Sequence, residues 1–306
     1  MKVIKKIEQM QKISDSLRKQ SKIIGFVPTM GALHKGHIEL IKRSRKETDI
    51  VVVSIFVNPI QFGPKEDYKK YPRPIDKDLK ICKENNVDYI FYPDVEEMYP
   101  LNDKIIQNSV FRVNSKERIL TFVEVKKLQD ILCGKFRPGH FIGVCTVVVK
   151  LFNIIKPHIA YFGEKDFQQL KIIQQMVKDL NFDIEIVPVE TVREEDGLAC
   201  SSRNTYLSKI EREVAPYIYK SLLYCKELII QRKYESIKKC IEFAKRYLHN
   251  LLFGIDHKIQ YFEIYEENLL PVDNKISNIP KGTKLRIFTA VYLGKTRLID
   301  NIGFTL

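Results

Sequence analysis

Three features of the sequence predict an α/β fold: an open parallel sheet with a smaller α+β segment after it. Short β-branched runs such as "KIIGFVPT" and "DIVVVSIFV" lack polar alternation, as expected of strands buried on both faces of a parallel sheet. Amphipathic helical stretches separate these runs, which is the arrangement of repeated strand–helix–strand units. Beyond about residue 191 the alternation stops, and two helical stretches are followed by three strands. A parallel-sheet domain over 1–191 and a small α+β domain over 192–306 are therefore expected, both of ordinary domain size.

Each element has a local cause. "MKVIKKIEQMQKISDSLRKQ" repeats Ile and Met at helical spacing, and "KIIGFVPT" then reads as a strand. "HIELIKRSRKE" predicts a helix with Ile38, Ile41 and the apolar stem of Lys42 on one face. Strand "DIVVVSIFV" leads to a helix in "PIDKDLKICKENN", with Pro74 near its start and an Asn-rich end. "VDYIFYP" and "PHIAYFG" read as further strands, and "DFQQLKIIQQMVKDL" as an amphipathic helix before strand "FDIEIVPVE". The stretch "YPLNDKIIQNSVFRVNSKER" reads as an irregular excursion. In the last part, "REVAPYIYKSLLYCKELII" and "ESIKKCIEFAKRYLHNLL" are helical, and "IQYFEIYEE", "KLRIFTAVYL" and "TRLIDNI" are strands, with "LGKT" as a hairpin turn.

Composition narrows the function classes. Hydrophobic residues are 44% and charged residues 29%, so a packed core rather than disorder is expected. No apolar run approaches the roughly 20 residues that span a bilayer. The first 20 residues carry acids and no continuous apolar stretch, unlike a signal or transit peptide; a cytoplasmic protein without membrane contact is expected. The six cysteines, Cys82, Cys133, Cys145, Cys200, Cys225 and Cys240, form no C-x-x-C pair and read as reduced thiols packed as small hydrophobes. The net charge of +13 is scattered along the chain. It fits a solvated surface or a positive cleft that steers a small anionic substrate, with no specific nucleic-acid partner.

Several polar stretches sit where strands meet helices. In "PTMGALHKGH" a glycine-bearing turn leaves a strand and opens a helix, with His34 and His37 three apart around Gly36. Backbone N–H groups at such a turn hold phosphates, and histidines can donate to oxygens whose charge grows in a transition state. "YFGEKDFQQL" places Lys165 at another strand-to-helix junction, with Asp166 as a possible cap and Gln168 and Gln169 in the first turn as exposed amides. "REEDGLACSSRN" aligns Ser201, Ser202 and Arg203, two hydroxyls and a forked guanidinium suited to a polyphosphate. "SIFVNPIQFG" ends a strand with Asn58 and Gln61, at the strand end where open α/β sheets bind ligands. "CGKFRPGHFIGVCTVV" holds Arg137, His140 and Gly143 before an apolar helix, with His140 equally compatible with a structural role. Taken singly, each stretch also fits an ordinary capped turn or solvated loop.

Together, "PTMGALHKGH", "SIFVNPIQF", "YPR", "TFVEV", "LCGKFRPGHFIGV", "LFNIIKPHIAYFGEKDFQQL", "DGLACSSRN" and "TRLIDNI" resemble the pantothenate synthetase (pantoate–β-alanine ligase) family of the nucleotidyltransferase superfamily. The matching stretches run in family order from about residue 25 to residue 302. The resemblance implies a Rossmann-like, HxGH-type nucleotide-binding domain with a C-terminal lid domain. It also implies ATP-dependent condensation of pantoate with β-alanine through pantoyl adenylate, releasing pyrophosphate and then AMP. Met30, Gly31, Ala32, Leu33, His34, Lys35, Gly36 and His37 would bind ATP, with His37 as the active-site histidine and His34 beside it on the phosphates. Gly163, Glu164, Lys165 and Asp166 would hold nucleotide, Lys165 on the phosphates, and Val192 would face the adenine. Cys200, Ser201, Ser202 and Arg203 correspond to a mobile phosphate-binding loop. Gln61 and Gln169 would bind pantoate, with Asn58 supporting that pocket. Mg²⁺ on the triphosphate is implied, with Asp76 and Asp78 as metal-binding candidates, although Lys77 stands between them. Cys200 also departs from the Met or Leu common at its position, which would make the loop sensitive to oxidation. A homodimer is implied as well. Two other readings stand beside the ligase: a plain adenylyltransferase acting on a phosphorylated acceptor, which Gln61 and Gln169 disfavour, and a basic nucleic-acid-binding protein.

Overall fold

The structure, a computed structural model, describes residues 1–64, 66–100 and 120–306. The expected irregular excursion after Pro100 therefore lies outside the described residues. The chain divides into one unit of residues 1–164 and 172–189 and a second of residues 165–171 and 190–306.

The first unit is built on a parallel sheet of β1 (Lys2–Ile4), β2 (Ile24–Thr29), β3 (Ile50–Ile55), β4 (Tyr89–Phe91), β5 (Ile159–Gly163) and β6 (Glu185–Val189). Its helices are α1 (Ile7–Lys19), α2 (Lys35–Glu47), α3 (Ile75–Glu84), α4 (Val95–Met98), α5 (Leu132–Phe136) and α6 (His140–Ile155), with α7 (Phe167–Asp179) divided between the units. The strand order is β1–β4–β3–β2–β5–β6. Strands β3 and β4 extend to one side of β2 and β5 and β6 to the other, so the order reverses at β2. Open α/β sheets bind ligands at the carboxyl end of such a switch point.

Burial explains the strands. Val27, Val51, Val53 and Ile90 are completely buried on one face, packed with Ile41 and Tyr161, and Phe26 and Val52 are completely buried on the other, which is why β2 and β3 read as continuous apolar runs. Helix α6 is apolar nearly all round, burying Val144, Cys145, Val148, Leu151 and Phe152. Arg18 donates to the carbonyl of Lys156 at 2.7 Å, which ties α1 to the end of α6.

Two expectations are corrected here. The buried face of α2 is Leu40, Ile41 and Ser44, and Lys42 is exposed. A helix face runs through i, i+3 and i+4, so the stripe through Leu40 and Ser44 turns Lys42 to solvent. The strand β1 lies in a stretch that reads as helix alone; it exists because Lys2 to Ile4 pair with Tyr89 to Phe91.

The second unit comprises α8 (Lys209–Val214), α9 (Tyr217–Ile230), α10 (Ile237–Leu251) and an antiparallel sheet of β7 (His257–Glu266), β8 (Lys284–Leu293) and β9 (Thr296–Thr305). The first expected helix is thus two, separated at Pro216, which caps α9. The expected hairpin is present: Leu293 pairs with Thr296 across Gly294 and Lys295. Leu222, Ile229, Cys240, Ala244, Phe262, Ile264 and Ile287 form one core. All six cysteines are buried thiols, and burial pushes Cys82 and Cys145 up to about 12. Among the described residues no helix is long and apolar enough to cross a membrane.

Candidate active site

The carboxyl end of β2 carries the first part of the site. After Thr29 the chain passes through Gly31 at φ +79° and Ala32 at φ +50° before α2 begins. Only glycine takes the first of these angles readily, and Ala32 is strained by about 1–3 kcal/mol. Two side chains hold the turn. Thr29 donates to the Ser54 carbonyl at 2.7 Å and accepts from the Gly31 amide at 3.1 Å. Asp78, from the first turn of α3, accepts the Ala32 and Leu33 amides through separate oxygens, each at 2.8 Å. It is only 1% exposed. Burial pushes its carboxyl above the ordinary range, and the two amide donors oppose that shift less strongly.

His34 and His37 cap the helix that follows. Nδ1 of His34 accepts from the Gly36 amide at 3.1 Å, and Nδ1 of His37 accepts from the His34 amide at 3.4 Å. This is a reciprocal capping box with imidazoles in place of the usual hydroxyl and carboxylate. With both Nδ1 atoms accepting, each neutral ring carries its proton on Nε2. The ring centroids are 4.1 Å apart. The two imidazoles thus stand side by side at the positive end of a helix, an arrangement suited to an anionic oxygen.

Beside this turn, the end of β3 builds a buried amide cluster. Asn58 is 1% exposed, donates to Gln61 Oε1 at 3.1 Å and to the Gly143 carbonyl at 3.0 Å, and accepts from Tyr99 Oη at 2.8 Å. Gln61 in turn directs Nε2 at Met30 Sδ, 2.9 Å away. Asn58 is thus engaged on every side by protein groups and orients Gln61. Gly143 is required by contact: a Cβ there would lie 2.4 Å from the Ile60 carbonyl oxygen and 2.7 Å from Gln61 Cα. His140 Nδ1 lies 2.8 Å from the Gln61 carbonyl, and its Nε2 lies 2.9 Å from Arg137, which Glu66 grips through two oxygens. A cavity of about 180 Å³ opens next to the turn, lined by Met30, Gly31, Phe56, Arg73, Asp78 and Asp94.

The metal candidates are not brought together. Asp76 is exposed and Asp78 is buried with both oxygens accepting backbone amides; residues two apart on a helix do not share a face. Among the described residues no group of three or more His, Cys, Asp or Glu side chains could hold a metal. These residues therefore do not fit a protein-held magnesium.

Within the first unit, Gly163 ends β5 and Glu164 follows it. Within the second unit, Lys165 and Asp166 form a 3₁₀ turn before α7, with their charged atoms 3.5 Å apart. Gln169 is half-exposed, whereas Gln168, expected to be exposed too, is buried. Val192 accepts the Cys200 amide at 2.9 Å. Ser201 caps the 3₁₀ turn Ser202–Tyr206 by accepting the Arg203 amide. Cys200 is only 2% exposed and its Sγ lies 3.2 Å from Glu194 Oε1. The expected oxidation-sensitive loop is therefore corrected: protein covers that thiol. A group that the sequence reading missed is Arg193, paired through both nitrogens with buried Asp300 at 2.7 and 2.9 Å. The two are 107 residues apart, so no local pattern could reveal them.

A family model described as pantoate-beta-alanine ligase matches residues 2–303. The chain belongs to the pantoate–β-alanine ligase family. A relative named pantothenate synthetase from Thermosipho africanus is 52% identical over 303 residues, covering 99% of each chain. The crystal structure of pantothenate synthetase from Thermus thermophilus superposes with a TM-score of 0.83 at 40% identity, covering 99% of both chains. That of the pantoate-beta-alanine ligase from Francisella tularensis, complexed with beta-gamma ATP and beta-alanine, gives 0.74 at 37% identity, covering 99% of this chain and 97% of that one. Members of this family are ligases, and the six-stranded parallel and three-stranded antiparallel sheets described above are set in a chain of that kind.

Proposed function

We propose that the protein joins pantoate to β-alanine with ATP, by way of pantoyl adenylate. A pantoate carboxylate oxygen attacks the α-phosphorus and pyrophosphate leaves; the β-alanine amine then attacks the acyl carbon, and AMP leaves with that oxygen. Activation is needed because a carboxylate offers an amine no adequate leaving group. The observation that carries this reading is the pair of imidazoles of His34 and His37, fixed through Nδ1 beside the strained Gly31–Ala32 turn. Donors fixed in advance at the place where negative charge grows stabilise it without reorganisation. An attacking carboxylate has no proton to lose, so in the adenylation step His37 acts by donation rather than as a base.

In the same reading Met30 to His37, Gly163 to Asp166, Val192 and Cys200 to Arg203 are residues for the nucleotide, and Gln61, oriented by Asn58, and Gln169 are residues for pantoate. Fixed amides rather than Arg or Lys suit an uncharged hydroxyl of the acid. Magnesium enters as part of the nucleotide substrate, and no step is assigned to Asp76 or Asp78. A cytoplasmic homodimer completes the proposal, and light scattering of the purified protein checks the assembly. The test of the reaction is AMP release from ATP that depends on both pantoate and β-alanine. Turnover with another acid but none with pantoate overturns the substrate assignment.

A further inference from the structure

The stretch "TRLIDNI" has no part in the chemistry above, yet β9 presents two consecutive buried polar residues there, Asp300 and Asn301, 5% and 4% exposed. Successive strand residues face opposite sides of a sheet. Asp300 lies in register with Thr289, and Asn301 with Phe288.

On one face, Asp300 grips Arg193 through two parallel bonds at 2.7 and 2.9 Å. The same guanidinium donates to the Gly197 carbonyl at 3.1 Å and stacks 3.7 Å from the centre of the Tyr219 ring. Arg193 also pairs with Ala199 as a β-bridge, and Val192 holds the Cys200 amide. The ribbon that leads into Ser201–Arg203 is thereby fixed at its base. On the other face, Asn301 Nδ2 donates to the Lys165 carbonyl at 3.0 Å. Its Oδ1 accepts from Arg286 at 2.6 Å, and that guanidinium lies 3.6 Å from the centre of the Phe167 ring.

We propose that Asp300 and Asn301 are positioning residues for nucleotide phosphates: adjacent on β9, they hold the Lys165 turn and the Cys200–Arg203 segment in register with each other. The proposal rests on the reading of those two segments as phosphate-binding. Bidentate pairing specifies orientation as well as distance, and the Arg193 fork cannot swing away from Gly197 while Asp300 holds it. The amide of Asn301 joins β9 to the Lys165 backbone through a side chain.

The test uses the full chain with Asn301→Asp and Asp300→Asn. Asn301→Asp keeps a partner for Arg286 and turns a carboxylate oxygen toward the Lys165 carbonyl. Asp300→Asn leaves Arg193 a neutral partner; should it fail to fold, Arg193→Lys keeps the charge and loses the fork. The dissociation constant of α,β-methylene-ATP and the KM for ATP are expected to rise about tenfold, the effect of losing one well-placed hydrogen bond. The KM values for pantoate and β-alanine should stay within about twofold, because the altered bonds touch only the two phosphate segments. A merely structural role would lower the active fraction and leave every KM unchanged, and that result overturns the proposal, as does unchanged analogue affinity. Wild-type protein that binds the analogue but releases no AMP with pantoate refutes the ligase reading alone, and the variants' analogue affinities still decide this proposal. Wild-type protein that does not bind the analogue overturns both.

Discussion

Replacing Asp78 by Asn preserves the size of the side chain while removing its charge and one of its two acceptors. In the native turn its oxygens accept from Ala32 and Leu33 at 2.8 Å each, while Ala32 sits at φ +50°. The strain at Ala32 is about 1–3 kcal/mol, and each hydrogen bond to a charged acceptor contributes about 1.5–3 kcal/mol. Two bonds outweigh the strain; one bond only about balances it. The buried charge carries its own cost, visible in the upward push on the Asp78 carboxyl, and the neutral amide removes that cost. The expected effect is thus local. Exchange of the Ala32 and Leu33 amides with solvent should accelerate about 10- to 30-fold, corresponding to a loss of about 1.4–2 kcal/mol. AMP release should fall about 10- to 100-fold in kcat/KM, since a misplacement near 1 Å is worth that much and His34 follows Leu33 directly. The linkage has a definite sign. A carboxyl held above its ordinary 3.8 in the folded state contributes stability at low pH that is lost as pH rises through its raised value, and Asp78→Asn should abolish that part of the profile. Native exchange rates at both amides, or full activity alongside rapid exchange, would show that Asp78 does not hold the turn.

Other perturbations probe the rest of the site. His37→Ala should lower the rate of adenylation by about 10²-fold, the usual loss for one transition-state donor, with the far-ultraviolet spectrum unchanged; an unaltered rate in single-turnover measurements would exclude a catalytic role. Gly143→Ala forces a methyl group to within 2.4 Å of the Ile60 carbonyl, so a destabilisation of about 1–3 kcal/mol should appear in urea unfolding together with a raised KM for pantoate. His158 accepts the Ile24 amide through Nδ1 at 3.0 Å, and burial, aided by Arg18, lowers its pKa below 6.5. Its neutral form is the one that folds, so stability is full above pH 6.5 and declines as pH falls through the lowered value. Urea midpoints between pH 8 and 5 should show that decline and lose it in His158→Asn, which retains an acceptor.

The parts of the fold that could be read from sequence were those with a local physical cause. β2 and β3 are legible because successive residues such as Val52 and Val53 are buried on opposite faces, which forces an unbroken apolar run. The Leu293–Thr296 hairpin is legible because its turn carries glycine. Strand β1 was not, since three residues gain their structure only from Tyr89 to Phe91. The same division holds at the site. His34 and His37 announce themselves by spacing, whereas Asp78 reads as a metal candidate until its partners are known to be amides 45 and 46 residues earlier. The oxidation sensitivity expected of the Cys200 loop fails because nothing nearby in sequence tells that Glu194 and the surrounding ribbon cover the thiol. Long-range polar pairing is what sequence patterns do not encode.

On the proposed route the carboxylate of pantoate becomes bonded to the α-phosphorus before the amine attacks. Pantoate labelled with ¹⁸O in its carboxylate, incubated with ATP and β-alanine, tests this directly by mass spectrometry of the nucleotide product. Acyl-adenylate chemistry transfers one labelled oxygen to each AMP and leaves the pyrophosphate unlabelled. Unlabelled AMP, or label in inorganic phosphate with ADP as the nucleotide product, would contradict it.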